Sequence, residues 1–281
     1  MPTVLEVIKS TTAYFDKHGV ESARLNAEHL TAHALGKKKR LDLYMEFDRP
    51  LSEGELAPLR DLVRQRAQGK PLQHLLGTVE FFGREFRSDA RALVPRPETE
   101  QLVELVMEFK SENSRPKILD AGTGSGVIAI TLALELPGAF VTALDISPDA
   151  LALAQSNAAA LGANVTFVHG DLLPDEPATF DLIVANLPYI PTAEISTLAR
   201  EVRHDPAGAL DGGPDGLDFI RKLIALSAPR LAGGGEMFLE IGHDQADRVV
   251  EIFGRHGYRD IQALPDLQGV RRFVSAKAGP L

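Results

Sequence analysis

The sequence predicts an α/β protein: a mostly parallel β-sheet covered by helices, preceded by a small helical bundle and a β-hairpin. Three observations predict it. From Lys117 onward, short β-rich runs alternate with helical stretches, as in a parallel sheet packed on both faces. In the first 75 residues, apolar side chains recur at helical spacing. Between these parts, Phe81-Phe82-Gly83-Arg84-Glu85-Phe86 sets aromatics around a glycine, which suggests a hairpin bridging two domains.

Taken in order, Val4, Ile8, Thr11 and Phe15 share one helical face, Ala23, Ala27, Leu30 and Ala34 a second, and Leu56, Leu59 and Val63 a third. Ser52 and Glu55 stand three apart and predict a capping box at the start of the last helix. The basic run Lys37 to Arg40 lies between helices. It could touch an acidic partner, although a charge run in a loop is more often simply solvated. Pro95 and Pro97 bracket Arg96, and "ETEQLVELVMEF" opens a helix with acids in its first turn, where the macrodipole favours them. The runs "KILDAG", "FVTALD", "NVTFVHG", "FDLIVAN" and "GEMFLEIG" read as strands, with helices in "PDALALAQSNAAALG" and "GLDFIRKLIALSAPRL" and two closing strands in "YRDIQAL" and "RRFVSAK". The expected division is 1–75 for the helical domain, 76–95 for the hairpin linker and 96–281 for the α/β domain.

Composition narrows the chemistry. The 281 residues contain no cysteine, which excludes disulfides, thiolate nucleophiles and Cys-ligated zinc, and the eight histidines show no metal-binding spacing, so no metal site is expected. No apolar run reaches the ~18 residues of a membrane helix, and the N-terminus carries acids where a signal peptide would be apolar. A cytoplasmic protein without membrane contact is expected, and nothing demands more than a monomer. Of 30 Lys+Arg and 39 Asp+Glu, residues 1–75 hold 12 and 10, which leaves 18 bases against 29 acids in the remainder. An acidic catalytic region repels a phosphate backbone, so direct nucleic-acid binding is not expected and a protein or small-molecule substrate is favoured.

"ILDAGTGSG" ends a strand in Asp120, Gly122, Gly124 and Gly126, with Thr123 and Ser125 between the glycines. Such a loop lets the backbone lie against a ligand at the carboxyl end of a strand. A dinucleotide fingerprint would put its third glycine where Val127 stands; D-x-G-x-G-x-G is instead the pattern of methyltransferases that bind S-adenosylmethionine. Asp145, ending the next strand, can accept from both ribose hydroxyls. Asp171 can accept from an adenine amino group, with Leu172 supplying a backbone N–H and an apolar contact.

The fourth strand ends in Asn186-Leu187-Pro188-Tyr189. Pro188 restricts Leu187 to an extended conformation and so fixes its carbonyl. Asn186 Oδ1 and that carbonyl can together accept from one NH₂ group, and Tyr189 can pack beside the planar group that carries it. Such a nitrogen is a poor nucleophile because its lone pair is delocalised. Accepting both N–H bonds aims it and stabilises its developing positive charge, with no strong base required. His169 and His204 are accordingly read as structural or surface residues.

Together, "RAQGKPLQHLLGTVEFFGREF", "LVPRPETE", "ILDAGTGSG", "ALDISPDALALAQSNA", "NLPYIP", "ALDGGPDGLDFIRKLI" and "FLEIGHDQ" resemble the successive blocks of the HemK/PrmC family, the N5-glutamine methyltransferases of peptide chain release factors. The resemblance covers nearly the whole chain. It implies a class I S-adenosylmethionine-dependent methyltransferase with a Rossmann-like, mostly parallel seven-stranded sheet, and an N-terminal domain that recognises the substrate. It implies methylation of the glutamine of a Gly-Gly-Gln motif in class 1 release factors, which serves translation termination and leaves S-adenosyl-L-homocysteine. By position, the cofactor contacts would be Gly122, Thr123, Gly124, Ser125, Gly126, Asp145, Asp171, Leu172 and Asn186. The catalytic, glutamine-binding residues would be Asn186, Leu187, Pro188 and Tyr189. The family usually has N-P-P-Y, and here Leu187 takes the second position. N-L-P-Y resembles rRNA adenine dimethyltransferases as well, but these usually carry their helical domain after the nucleoside fold and act on RNA. A ribosomal protein L3 glutamine methyltransferase shares the catalytic blocks and stays open, whereas Asn186 beside an intact glycine loop argues against a non-enzymatic scaffold that binds the cofactor and holds a partner through the helical domain.

Overall fold

The computed structural model describes residues 1–109 and 113–279. The chain forms two compact units, Met1–Thr78 with Ala199–His204, and Val79–Leu198 with Asp205–Leu281.

The first unit contains helices α1 (Val4–Lys17), α2 (Ala23–Ala34), α3 (Glu53–Ala67) and α4 (Leu72–Leu76), with a 3-10 helix at Arg40–Glu46. Val4, Ile8, Phe15, Leu30, Leu43, Leu51 and Leu59 form its core. Local chemistry sets the helix starts. Thr3 Oγ1 accepts from the Glu6 N–H at 3.3 Å while the Glu6 carboxylate accepts from the Thr3 N–H at 2.8 Å. At α3 the Glu55 carboxylate accepts from both the N–H (2.9 Å) and the hydroxyl (2.7 Å) of Ser52. The basic run is partly committed: Lys37 pairs with Glu46, and Arg40 pairs with the buried Glu28. Ala199–His204 joins this unit through Glu201, which pairs with the buried Arg66, whose Nε donates to Asn26 Oδ1 at 2.7 Å.

The second unit begins within the hairpin β1 (Thr78–Phe81) and β2 (Arg84–Arg87), at Val79. Phe82 and Gly83 both have positive φ, 50° and 69°, the geometry of a tight two-residue hairpin turn. The hairpin, expected between the two parts, packs with the second: Phe81 and Phe86 meet edge to face at 6.0 Å and are buried against helix α5 (Pro97–Met107).

Beyond α5 come β3 (Lys117–Ala121), α6 (Val127–Glu135), β4 (Phe140–Asp145), α7 (Pro148–Leu161), β5 (Thr166–His169), β6 (Phe180–Asn186), α8 (Asp218–Ser227), β7 (Leu231–Glu240), α9 (Ala246–Arg255), β8 (Arg259–Pro265) and β9 (Arg271–Lys277). The strands form a seven-stranded sheet in the order β5-β4-β3-β6-β7-β9-β8. Strands β5, β4, β3, β6 and β7 run parallel, and β9 enters antiparallel to both β7 and β8. The period of two sends successive side chains to opposite faces. Ile118, Leu182 and Val184 join α5 and α6 on one side; Leu119, Ile183 and Ala185 join Ile220, Leu223, Val249 and Phe253 of α8 and α9 on the other. Each fully buried Leu, Ile or Phe contributes about 1.5–3 kcal/mol, so both layers clamp the sheet.

This topology positions the site. The chain leaves β3 toward β4 and β5 on one side and later places β6 and β7 on the other, which opens a crevice at the carboxyl ends of β3 and its neighbours.

Candidate functional site

A cavity of about 300 Å³ lies at that crevice. Its walls bring together Gly122, Thr123, Gly124 and Ser125 after β3, Asp145 at the end of β4, Asp171 and Leu172 after β5, and Asn186, Leu187 and Pro188 at the end of β6. Gly126, with φ of 85°, turns the chain from the loop into α6.

The loop is held from two sides. Asp120 Oδ2 accepts from Thr123 Oγ1 at 2.6 Å and from the Ala129 N–H at 3.1 Å, which closes the turn on itself. Burial pushes the Asp120 carboxyl up to about 7, against the pull of those two donors. The buried Asn157 of α7 accepts from the Arg87 N–H at 2.8 Å and donates to the Ser125 carbonyl at 2.9 Å, so the hairpin and the loop share one anchor. Gly122 has a φ of 75°, which favours glycine, and a Cβ there would stand 2.8 Å from Leu187 Cδ2 and displace that side chain.

Asp145 accepts from the Gly124 N–H through Oδ2 and from the Ser147 N–H through Oδ1, each at 2.8 Å. Each oxygen keeps a further lone pair for the cavity. The next residue, Ile146, is 64% exposed although apolar, and it too lines the cavity. Asp171 is half exposed and ion-paired with Lys222 of α8. Leu172 is buried with φ of 66°, a conformation a leucine adopts only when its surroundings enforce it.

At the β6 end, the amide of Asn186 donates through Nδ2 to Thr99 Oγ1 at 3.1 Å, and the Thr99 hydroxyl donates to Glu240 Oε2 at 2.8 Å. Thr99 stands in the first turn of α5; Glu240 ends β7 and pairs in register with Asn186. Leu187 is buried with its side chain against Gly122, joining the end of β6 to the glycine loop. Tyr189 lies behind this wall, packed on the core of β6, β7 and α8 rather than among the cavity-lining residues. Burial, together with the nearby Glu240, raises its phenol above the ordinary tyrosine range, so it stays protonated at neutral pH.

The backbone after Tyr189 is braced. The Ile190 N–H donates to the Leu210 carbonyl at 3.0 Å and the Gly212 N–H to the Ile190 carbonyl at 2.8 Å. Gln245, buried before α9, accepts from the Gly242 N–H and donates to the Tyr189 carbonyl, both at 2.8 Å. His169 and His204 are exposed, and neither lines the cavity.

Residue-type reasoning passes over Thr99, Asn157, Glu240, Gln245 and Ile146. Asn157, Glu240 and Gln245 act on a neighbour rather than on the cavity; Thr99 lines the cavity, and nothing in its local spacing announces partners 87 and 141 positions away. Ile146 carried a usable signal, an apolar side chain directly after a strand-end acid.

Among the described residues, no helix is long and apolar enough to cross a membrane. Residues 6–77 match the model of the PrmC N-terminal domain, and residues 118–204 match that of a methyltransferase domain. The chain is 44% identical over 279 residues to the release factor glutamine methyltransferase of Geobacter sulfurreducens, a match that covers 99% of this chain and 97% of that one. It is 42% identical over 272 residues to the protein of the same name from Deinococcus radiodurans, with 97% of each chain covered. A methyltransferase structure from Pyrococcus furiosus superposes on 71% of this chain and 91% of its own with a TM-score of 0.55 at 20% identity, a likeness of fold. The chain therefore belongs to the release factor glutamine methyltransferases, with the class I methyltransferase fold that its sheet order displays.

Proposed function

We propose that this protein transfers a methyl group from S-adenosylmethionine to the side-chain amide nitrogen of the glutamine in the Gly-Gly-Gln motif of class 1 peptide chain release factors. The observation that carries the reading is the meeting of Asp145, the glycine loop and Asn186-Leu187-Pro188 on one cavity.

The cavity suits that cofactor. The carboxylate of Asp145, already oriented by two backbone donors, has lone pairs left for two ribose hydroxyls. Ile146 offers an apolar surface to one face of a purine, and Leu172 lines the same cavity. Asp171 accepts from the adenine amino group while its other lone pairs hold Lys222. When bound, the cofactor supplies an electrophilic methyl group; the protein's work is to present the nitrogen.

Asn186 Oδ1 and the Leu187 carbonyl grip the two N–H bonds of the glutamine amide. This holds the nitrogen toward the methyl group and favours the charge it acquires. Tyr189, kept neutral, is not the base; the methylated nitrogen releases its proton to water. The acidic second unit disfavours RNA as the acceptor, and the agreement with full-length release factor methyltransferases favours this substrate over ribosomal protein L3. On this reading Gly122, Thr123, Gly124, Ser125, Asp145, Asp171, Leu172 and Asn186 serve the cofactor, with Gly126 turning the loop into α6, and Asn186, Leu187 and Pro188 serve the glutamine, with Tyr189 supporting them from the core behind.

The test is incubation of purified protein with labelled S-adenosylmethionine and a release factor. Label should enter the wild-type acceptor and be absent when its Gly-Gly-Gln glutamine is replaced by alanine. Label that persists in the replaced acceptor contradicts the proposal.

A further inference from the structure

An asparagine amide presents an oxygen or an NH₂ depending on which way round it stands, and the two orientations have nearly the same shape. At Asn186 the difference decides whether the corner accepts or donates. The network behind it makes the choice. A threonine hydroxyl has one proton. Thr99 gives its proton to Glu240 Oε2 at 2.8 Å, so only lone pairs of Thr99 Oγ1 face Asn186 at 3.1 Å, and they are satisfied by Nδ2. Oδ1 is then the amide atom left for the cavity that Asn186 lines.

We propose that Glu240 and Thr99 are positioning residues for methyl transfer: the Glu240 carboxylate, acting through the Thr99 hydroxyl, holds Asn186 Oδ1 toward the substrate, and protonation of Glu240 releases that hold. The inference rests on the reading of Asn186 as the acceptor for the substrate amide.

Every charged group facing Glu240 bears on this equilibrium. Burial disfavours its charge most, and Glu98 of α5 adds to that; Thr99, Asn186 and Arg272 of β9 favour the charge, and Tyr189 remains neutral beside it. The balance pushes the Glu240 carboxyl up to about 7. When Glu240 takes a proton from solvent, its O–H can donate to Thr99 Oγ1. The threonine proton is then free to turn toward Asn186, whose amide has Oδ1 as its acceptor. The amide reverses, and its NH₂ meets the NH₂ of the substrate, donor against donor. No covalent step is involved.

The experiment measures kcat against pH from about 5.5 to about 9 for the full-length enzyme with a release factor, alongside the side-chain ¹⁵N–¹H signals of Asn186, assigned by their loss in Asn186→Ala. The wild type should lose kcat toward acid with a midpoint near 7, roughly tenfold for each pH unit below it, and its Asn186 signals should titrate at the same midpoint. Thr99→Val should lower kcat by about ten- to a hundredfold and abolish the titration of the amide. Thr99→Ser should restore both, and Glu240→Gln should give a flat profile with folded protein. Thr99→Val that keeps wild-type kcat and the acid limb, or Asn186 signals that ignore pH, would overturn the inference. Failure of the wild type to methylate the release factor would sink the functional reading instead, and the Asn186 signals alone would then decide whether Glu240 sets the amide.

Discussion

Asn186 and Leu187 occupy adjacent positions and answer to different partners. The amide of Asn186 is tied to Thr99, while the Leu187 side chain is buried against Gly122. On the proposed function, replacing Asn186 by alanine removes one of two acceptors for the reacting nitrogen and leaves the glycine loop and Asp145 in place. Transfer should fall by about a hundredfold or more, while calorimetry of cofactor binding shows a loss of less than about tenfold; unchanged turnover would refute the role. Leu187→Pro keeps the backbone carbonyl and gives up part of the contact with Gly122. Its turnover should change by less than about tenfold, or roughly 1.4 kcal/mol, whereas Leu187→Ala leaves a gap under the loop and should cost about 2–4 kcal/mol of stability in denaturant unfolding. A proline variant crippled in turnover would mean that the leucine side chain shapes the acceptor directly. The value of Leu187 to its neighbour was not legible in the sequence, because Gly122 lies far earlier in the chain and only the register of β3 against β6 brings them together.

At the scale of elements, the chain just after β6 is fastened by later loops. Gln245 is almost fully buried and spends both ends of its amide on backbone, the Gly242 N–H and the Tyr189 carbonyl. A Cβ at Gly216 would stand 2.2 Å from that same carbonyl, so the glycine admits the close approach that Gln245 fastens. Gln245→Leu strands two backbone groups and should cost about 1–3 kcal/mol, seen as a lower melting temperature, with turnover reduced more than cofactor affinity. Equal losses in both would place the defect in the cofactor pocket instead. The strands and helices themselves were readable, since alternation and helical spacing are local patterns; "FDLIVAN" and "GEMFLEIG" emerge as β6 and β7. The bracing was not, because "GHDQ" and "GPDG" look like ordinary turns until the fold lays one on the other.

At the scale of the molecule, the buried carboxyls Asp120, Glu240 and Asp205 of the second unit govern its response to pH. Asp120 and Glu240 are pushed up to about 7 and Asp205 to about 6, in each case chiefly by burial. Between about pH 4 and 7 the folded state retains protons that the unfolded chain has shed, so stability falls as pH rises through that window and levels off above it. His29 in the first unit, lowered mainly by burial, acts in the opposite direction. The melting temperature of the second unit should therefore drop between about pH 5 and 7 and flatten above, and Asp120→Asn should remove part of the slope; a rise would contradict the burial assigned to these groups. The sequence changes pattern near residue 76, and nothing in it announces the return of Ala199–His204 to the helical unit. Its anchor is an ion pair between Glu201 and the buried Arg66, and a long-range pair leaves no mark on local composition.

Whether the strand-end amide and carbonyl of Asn186 and Leu187 serve a glutamine side chain is decided by a competition among acceptors. Purified enzyme and labelled S-adenosylmethionine are offered a release factor, ribosomal protein L3 and rRNA side by side, and the label is mapped by mass spectrometry. Methyl should appear on the Gly-Gly-Gln glutamine of the release factor and be lost in Asn186→Ala. Label on rRNA or on L3, with the release factor unmodified, would contradict the assignment.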